Sequence, residues 1–356
     1  MTIKENIKSI IRDNFTSPQR INKQSSSQLQ SGRIEFIDLA KGFCIILVVA
    51  FHCGLGKECT LINALRMPLY FVLSGLFFKD YGSFLEHLEK KINKLILPLI
   101  FFSVIFLFFQ VVISRDFSFY DLIRPLKEPE LGNKPIYFLL CLFWINVIFC
   151  FIKRKTNSLI TQLICVAVLS FLGYILYSEQ IYLPLFLGSS LTAFPFFYLG
   201  YLLRRLPLLY KNKYDRYNLL LVVVLIMPAI LFYVCEKPLY IDFRINNIFG
   251  PLILIIPVSF SLVVGFLLFC KMVKWLPIVS YIGRYSIIVL GIHFVAQSYF
   301  YLPIYWFTGR MLMGVELFLF TIIISWLLIP IFLKFTPSLT AQRDRFKFSS
   351  IFIKKS

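Results

Sequence analysis

The chain of 356 residues is 58% hydrophobic and 15% charged, with 40 Phe, 19 Tyr and a mean hydropathy of +0.78. So few charges exclude an ordinary water-soluble domain, in which about a quarter of residues are charged. The formal net charge of +19 would suit a nucleic-acid partner, but the cations are spread between apolar runs instead of forming one stripe, so no nucleic acid is expected.

Residues 1–33 are polar and basic, include Ser25, Ser26 and Ser27, and lack the apolar centre of a cleavable signal peptide. The first helix is therefore expected to target the chain. Apolar segments follow near 36–55, 61–78, 94–114, 136–152, 159–177, 183–203, 218–234, 249–270, 278–302 and 312–335. At about 1.5 Å rise per residue they match a hydrocarbon core of about 30 Å. The predicted fold class is all-α: a polytopic integral membrane protein of about ten transmembrane helices with both termini cytoplasmic. Its parts are a basic tail (1–33), a membrane domain (34–335) and a second basic tail (336–356).

Orientation comes from the cations. With the N-terminus inside, 26 of the 37 Lys and Arg fall in the cytoplasmic segments, eight in the outer loops, and three (Lys41, Arg66, Arg284) within helices. That alternation satisfies the positive-inside rule. The eight cysteines show no CxxC pair and no His at zinc-ligand spacing, so no metal is expected and they read as small buried hydrophobes.

Ionisable residues inside apolar spans are costly, about 2.5–3.5 kcal/mol at a helix centre, and are functional candidates by default. The first helix carries Asp38, Lys41 and His52. Lys41 and His52, eleven residues apart, share one face about 16 Å apart along the axis. An interfacial Asp38–Lys41 pair that snorkels to the cytoplasm is the structural alternative. Arg66 in the second helix and Glu316 in the tenth lie at a depth similar to His52, which suggests an outer catalytic layer. A purely structural Arg66–Glu316 pair explains two of the three equally well.

Lys90, Lys91 and Lys94, with Asp38, Lys41 and Arg284, form an inner layer suited to a phosphate-bearing ligand, although the positive-inside rule and lipid headgroups also account for the loop lysines. The loop 115–135 carries both signs of charge and is expected to be an extracytoplasmic lid or acceptor contact. His87 falls in a cytoplasmic loop. His293, nine residues after Arg284, is expected on the opposite helix face and in a packing role. Ser74 has no GxSxG elbow, and Gly75 reads as a helix-packing contact.

Four stretches resemble a known family. Arg33-Ile34-Glu35-Phe36-Ile37-Asp38-Leu39-Ala40-Lys41-Gly42 followed by His52 is the most specific. The others are Arg66-Met67-Pro68-Leu69-Tyr70-Phe71-Val72-Leu73-Ser74-Gly75 with Lys91, Lys94 and Pro98; Phe196-Phe197-Tyr198-Leu199-Gly200-Tyr201; and Tyr281-Ile282-Gly283-Arg284-Tyr285-Ser286 with His293. Together they resemble the acyltransferase-3 family of bacterial membrane acyltransferases, nearest its fucose O-acetylase-like, polysaccharide O-acetyltransferase branch. Lys41 stands where arginine is common, Tyr137 where many relatives have tryptophan, and Arg66 where His is frequent.

The resemblance implies an acyl-CoA donor, most often acetyl-CoA, and acceptance on a hydroxyl of a cell-envelope glycan or lipid-linked precursor in the bacterial cytoplasmic (inner) membrane. His52 would be the base, Lys41 the basic partner of the opening motif, Arg66 the oxyanion partner and Glu316 the group orienting His52. Lys90, Lys91, Lys94, Arg284 and Asp38 would contact the donor. Acyl transfer is either direct or through an acyl-histidine. A glycan flippase or small-solute transporter is the alternative, and it predicts an internal repeat that the two halves do not display.

Overall fold

A computed structural model describes residues 35–115, 124–206, 209 and 217–347. The tail 1–33, Asp116 and Asp121 of the expected lid, and the end of the second basic tail lie outside the described residues.

The described chain is almost entirely helical. In order, α1 is Glu35–His52, α2 Thr60–Leu76, α3 Phe84–Lys91, α4 Leu97–Phe109, α5 Tyr137–Lys155, α6 Leu159–Ser178, α7 Leu187–Leu203 and α8 Asn218–Val234. A two-stranded hairpin follows, β1 Tyr240–Asp242 and β2 Asn247–Phe249, and then α9 Leu252–Val273, α10 Pro277–Arg284, α11 Ser286–Val295, α12 Leu302–Thr308 and α13 Gly314–Phe335.

Local chemistry sets several of these boundaries. Ser83 caps α3 in a reciprocal box with Glu86, and Ser158 caps α6. Wide π turns occupy Ile92–Ile96 and Ala296–Phe300. Pro98 follows the first and Pro303 the second. Each proline lacks an N–H and crowds the carbonyl four residues earlier, Lys94 and Tyr299, so the helix widens there.

Among the described residues, seven helical segments are long and apolar enough to cross a membrane: Phe84–Ile113, Lys134–Lys155, Leu159–Ser178, Pro184–Leu203, Leu252–Val273, Ser286–Thr308 and Gly314–Phe335. The chain is a multi-pass membrane protein. Helices α2 and α8 are apolar but have 17 residues each, and α1 carries Glu35, Asp38 and Lys41 within its 18.

The distribution of burial fits a lipid solvent. On α13, Val315, Leu319, Ile323, Leu327, Ile331 and Phe335 form an exposed apolar stripe, whereas Thr321, Ser325 and Ile329 face inward. Apolar outside and small polar inside is the pattern of a helix whose outer surface meets acyl chains.

Two close crossings organise the bundle. A Cβ on Gly42 would collide with the Val279 carbonyl, and one on Gly283 with the Asp38 carbonyl, so α1 and α10 meet backbone to backbone. Likewise Gly75 lies against the Phe197 carbonyl and Gly200 against the Val72 carbonyl, which joins α2 to α7. Gly283→Ala forces the first crossing apart and is expected to cost about 1–3 kcal/mol, read as a lower thermal midpoint in detergent. Gly188→Ala, whose nearest new neighbours lie 3.8 Å away, is expected to leave the midpoint unchanged or raised. Equal midpoints for the two variants would contradict the crossing.

Candidate active site

His52 is the last residue of α1, immediately before a turn in which Gly54 and Gly56 have positive φ of 90° and 67°. Arg66 lies two turns into α2. Both line one cavity of about 130 Å³, together with Val48, Phe51, Met67, Tyr70, Lys134, Tyr137, Phe138, Asp242, Phe243, Arg244 and Leu290. The cavity thus has a wall of aromatic and aliphatic groups and a set of convergent charged side chains, the composition expected of a ligand site.

The guanidinium carbon of Arg66 sits 3.4 Å from the centroid of the Phe51 ring, a cation–π contact that offsets part of its desolvation. Its backbone carbonyl accepts a hydrogen bond from Cys44 Sγ at 2.8 Å, tying α2 to α1 beside the cavity. Tyr70 donates to the Lys41 carbonyl at 3.3 Å, a second tie between the same helices. Lys41 itself points toward Phe77, its Nζ 5.9 Å from the ring centroid. Lys41 therefore lies in the N-terminal half of α1, away from the cavity that His52 lines.

His293, expected in a packing role, packs beside His52. Its ring centroid is 5.4 Å from that of His52. Arg284 and His293 do not share one continuous helix, because it breaks at Tyr285 (φ −110°, ψ 29°), and Arg284 pairs with Asp38 instead. His293 is fully buried, and its Nδ1 donates to the Val289 carbonyl at 2.9 Å. A carbonyl can only accept, so Nδ1 carries the proton and Nε2 is the acceptor. Nε2 is buried and has no hydrogen-bond partner.

Glu316 does not join His52 and Arg66. Helix α13 starts at Gly314, so Glu316 lies in its first turn, where unpaired N–H groups favour a carboxylate. It is half exposed there and accepts from Arg310 at 2.6 Å. The carboxylate that does line the cavity is Asp242, close enough to Arg66 to interact electrostatically.

Asp242 arrives on the hairpin, which the hydropathy pattern reads only as an outer loop. The strands pair Tyr240 with Phe249, Ile241 with Ile248 and Asp242 with Asn247. Asp242 Oδ1 accepts the Arg244 N–H at 3.0 Å and shapes the turn. Phe243 is buried against Phe71 and Phe196. Asn246 accepts from Thr192 at 2.7 Å and donates to the Gly173 carbonyl at 3.2 Å, so the turn is pinned to α6 and α7. The period-two pattern Tyr240-Ile241-Asp242-Phe243 and Ile248-Phe249 was the available signal.

The cations expected to form a phosphate-binding layer are more dispersed than the sequence suggests. Asp38 and Arg284 pair with each other at 4.0 Å. Lys91 lies over Phe78, 5.9 Å from its centroid. Lys90 and Lys94 both reach Asp344 of the chain's own C-terminal segment, at 2.5 and 3.4 Å. Lys94 also donates to the Ala341 carbonyl. Between the two lysines, the Asn93 amide oxygen accepts the N–H groups of Arg345 and Phe346, while its nitrogen donates to the Phe346 carbonyl. Residues 341–346 thus form a strap over the junction of α3 and α4.

A family model described as an acyltransferase domain matches residues 34–330. No curated protein and no solved structure matches the chain.

The hydrogen bond from Lys90, reinforced by Lys94, holds the Asp344 carboxyl below its ordinary range. A lowered carboxyl contributes stability that is complete above its unfolded value, about 3.9, and is lost as the pH falls through the lower folded value. Protection of residues 341–347 against hydrogen exchange, relative to the intrinsic rate at each pH, is therefore expected to fall as the pH drops below about 4. Asp344→Asn should exchange fast already at pH 7 and lose that dependence. An unchanged exchange rate in the variant would show that the strap is held without the carboxylate.

Proposed function

The chain belongs to the acyltransferase-3 family of membrane acyltransferases, and from that premise we propose that it transfers an acyl group, acetyl in the first instance, from acyl-CoA to a hydroxyl of a cell-envelope glycan or its lipid-linked precursor. The observation that carries this reading is the single cavity in which His52 and Arg66 meet, with His293 directly behind His52. We also propose ten membrane crossings in a bacterial inner membrane with both termini cytoplasmic, supported by the alternation of Lys and Arg along the sequence.

In this mechanism His52 takes the proton of the acceptor hydroxyl while that oxygen attacks the thioester carbonyl carbon. The carbon–sulfur bond then breaks, and His52 returns the proton to the departing thiolate, so the products are an ester and free CoA thiol. Arg66, with Arg244 beside it, stabilises the negative charge that develops on the carbonyl oxygen. Because Nδ1 of His293 is committed to the Val289 carbonyl, Nε2 is oriented to accept an N–H from His52 and leave the other His52 nitrogen as the base. His293 is a positioning residue in this scheme.

Asp242 and Arg244, rather than Glu316, supply the charged groups that meet the acceptor. At the inner face, donor phosphates are proposed to bind among Lys90, Lys91, Lys94 and Arg284 near Asp38. Two of these lysines are held by Asp344, so donor binding there requires the phosphates to compete with the strap carboxylate.

His52→Ala is expected to lower acyl transfer by purified protein about 10²–10⁴-fold with no loss of membrane insertion. His293→Gln, which can still accept a hydrogen bond, should keep more activity than His293→Leu, and both should lower kcat more than they raise KM. Wild-type transfer rates in a stably inserted His52→Ala protein would sink the mechanism.

A further inference from the structure

Away from that cavity, the turn after α2, the short helix α3 and the end of α5 bring three metal-ligating side chains together. Asp80, His87 and Cys150 each offer one ligand atom, and these atoms lie within 4.8 Å of one another. His87 and Cys150 are both fully buried. Neither ring nitrogen of His87 has a hydrogen-bond partner, although both are buried. A buried imidazole left in that state calls for an explanation.

The cluster already holds a cation. Arg154 donates through Nε to Cys150 Sγ at 3.3 Å and through Nη2 to Asp80 Oδ1 at 3.0 Å. Lys153 pairs with the other Asp80 oxygen at 3.4 Å. The Arg154 side chain is 30% exposed, and it also donates to the backbone carbonyls of Tyr81 and Gly82. It can therefore leave the sulfur and carboxylate while keeping partners at the surface.

We propose that Asp80, His87 and Cys150 form a Zn²⁺ site in which one imidazole nitrogen, the Cys150 thiolate and one carboxylate oxygen are three ligands and water is the fourth. A mixed S, N, O set suits zinc; calcium and magnesium favour oxygen alone. Around a tetrahedral metal with bonds of about 2.0–2.3 Å, ligand atoms are about 3.3–3.8 Å apart, so loading needs only a small contraction of the cluster. One thiolate and one carboxylate balance the 2+ charge, the thiol proton passes to solvent, and the guanidinium turns outward. The bound metal ties α3 to α5. Sequence spacing does not reveal the site, because the ligands are seven and 63 residues apart on three different elements.

The test uses the full chain in detergent micelles, freed of its purification tag and of metal, and titrated with Co²⁺. One Co²⁺ per chain is expected, with a thiolate-to-metal charge-transfer band and tetrahedral ligand-field bands that added Zn²⁺ abolishes. Cys150→Ser should remove the charge-transfer band, and His87→Gln should weaken binding at least tenfold. Absence of the band at saturating Co²⁺, its persistence in Cys150→Ser, or unchanged Co²⁺ affinity in His87→Gln would overturn the site. None of these measurements depends on acyl transfer.

Discussion

The structure depends on backbone meeting backbone at Gly42–Gly283 and at Gly75–Gly200. In a membrane the hydrophobic effect does not drive helices together, because lipid tails are as apolar as leucine; association relies on close van der Waals contact and interhelical hydrogen bonds. Removing every side chain atom at the crossing points lets α1 approach α10, and α2 approach α7, at the shortest range a polypeptide permits. Hydrogen bonds from Cys44 and Tyr70 to backbone carbonyls then lock α1 to α2. Since α1 ends in His52 and α10 runs directly into the helix carrying His293, the first crossing also determines how far apart the two imidazoles sit.

The parts of this arrangement that sequence makes legible are those governed by solvent. The apolar runs of the sequence fall largely on helix, because a lipid-facing backbone has no other way to satisfy its polar groups. His52 and Arg66 stand out for the complementary reason, as polar groups in otherwise apolar runs. Length and apolarity single out seven spans among the described residues; α1 is set apart by Glu35, Asp38 and Lys41 in its first two turns, and α2 and α8 by their 17 residues.

Through-space partnerships are what the sequence conceals. Glu316 finds Arg310 six residues away, and Lys90 finds Asp344 more than 250 residues away. Neither pairing leaves a periodic trace. The approach of His293 to His52 is likewise a contact between two helices, and helical phase within either one carries no record of it. The hairpin escaped because hydropathy registers whether a segment is apolar, and a four-residue turn pinned by Asn246 is half polar. His87 reads as a loop residue in sequence, yet the capping box at Ser83 folds the loop into α3 and buries it.

The hairpin enters the cavity from the connection between α8 and α9, and it contributes Asp242 from β1 and Arg244 from its turn without taking part in either glycine crossing. Its anchors are Phe243 and Asn246, which leaves the remaining turn positions open to change in size, charge or number. The histidines sit on helices where a single added methyl group would shift the bundle. Change at Arg244 or Ile245 therefore alters the charge and shape presented at that wall of the cavity without disturbing the glycine crossings that hold the bundle.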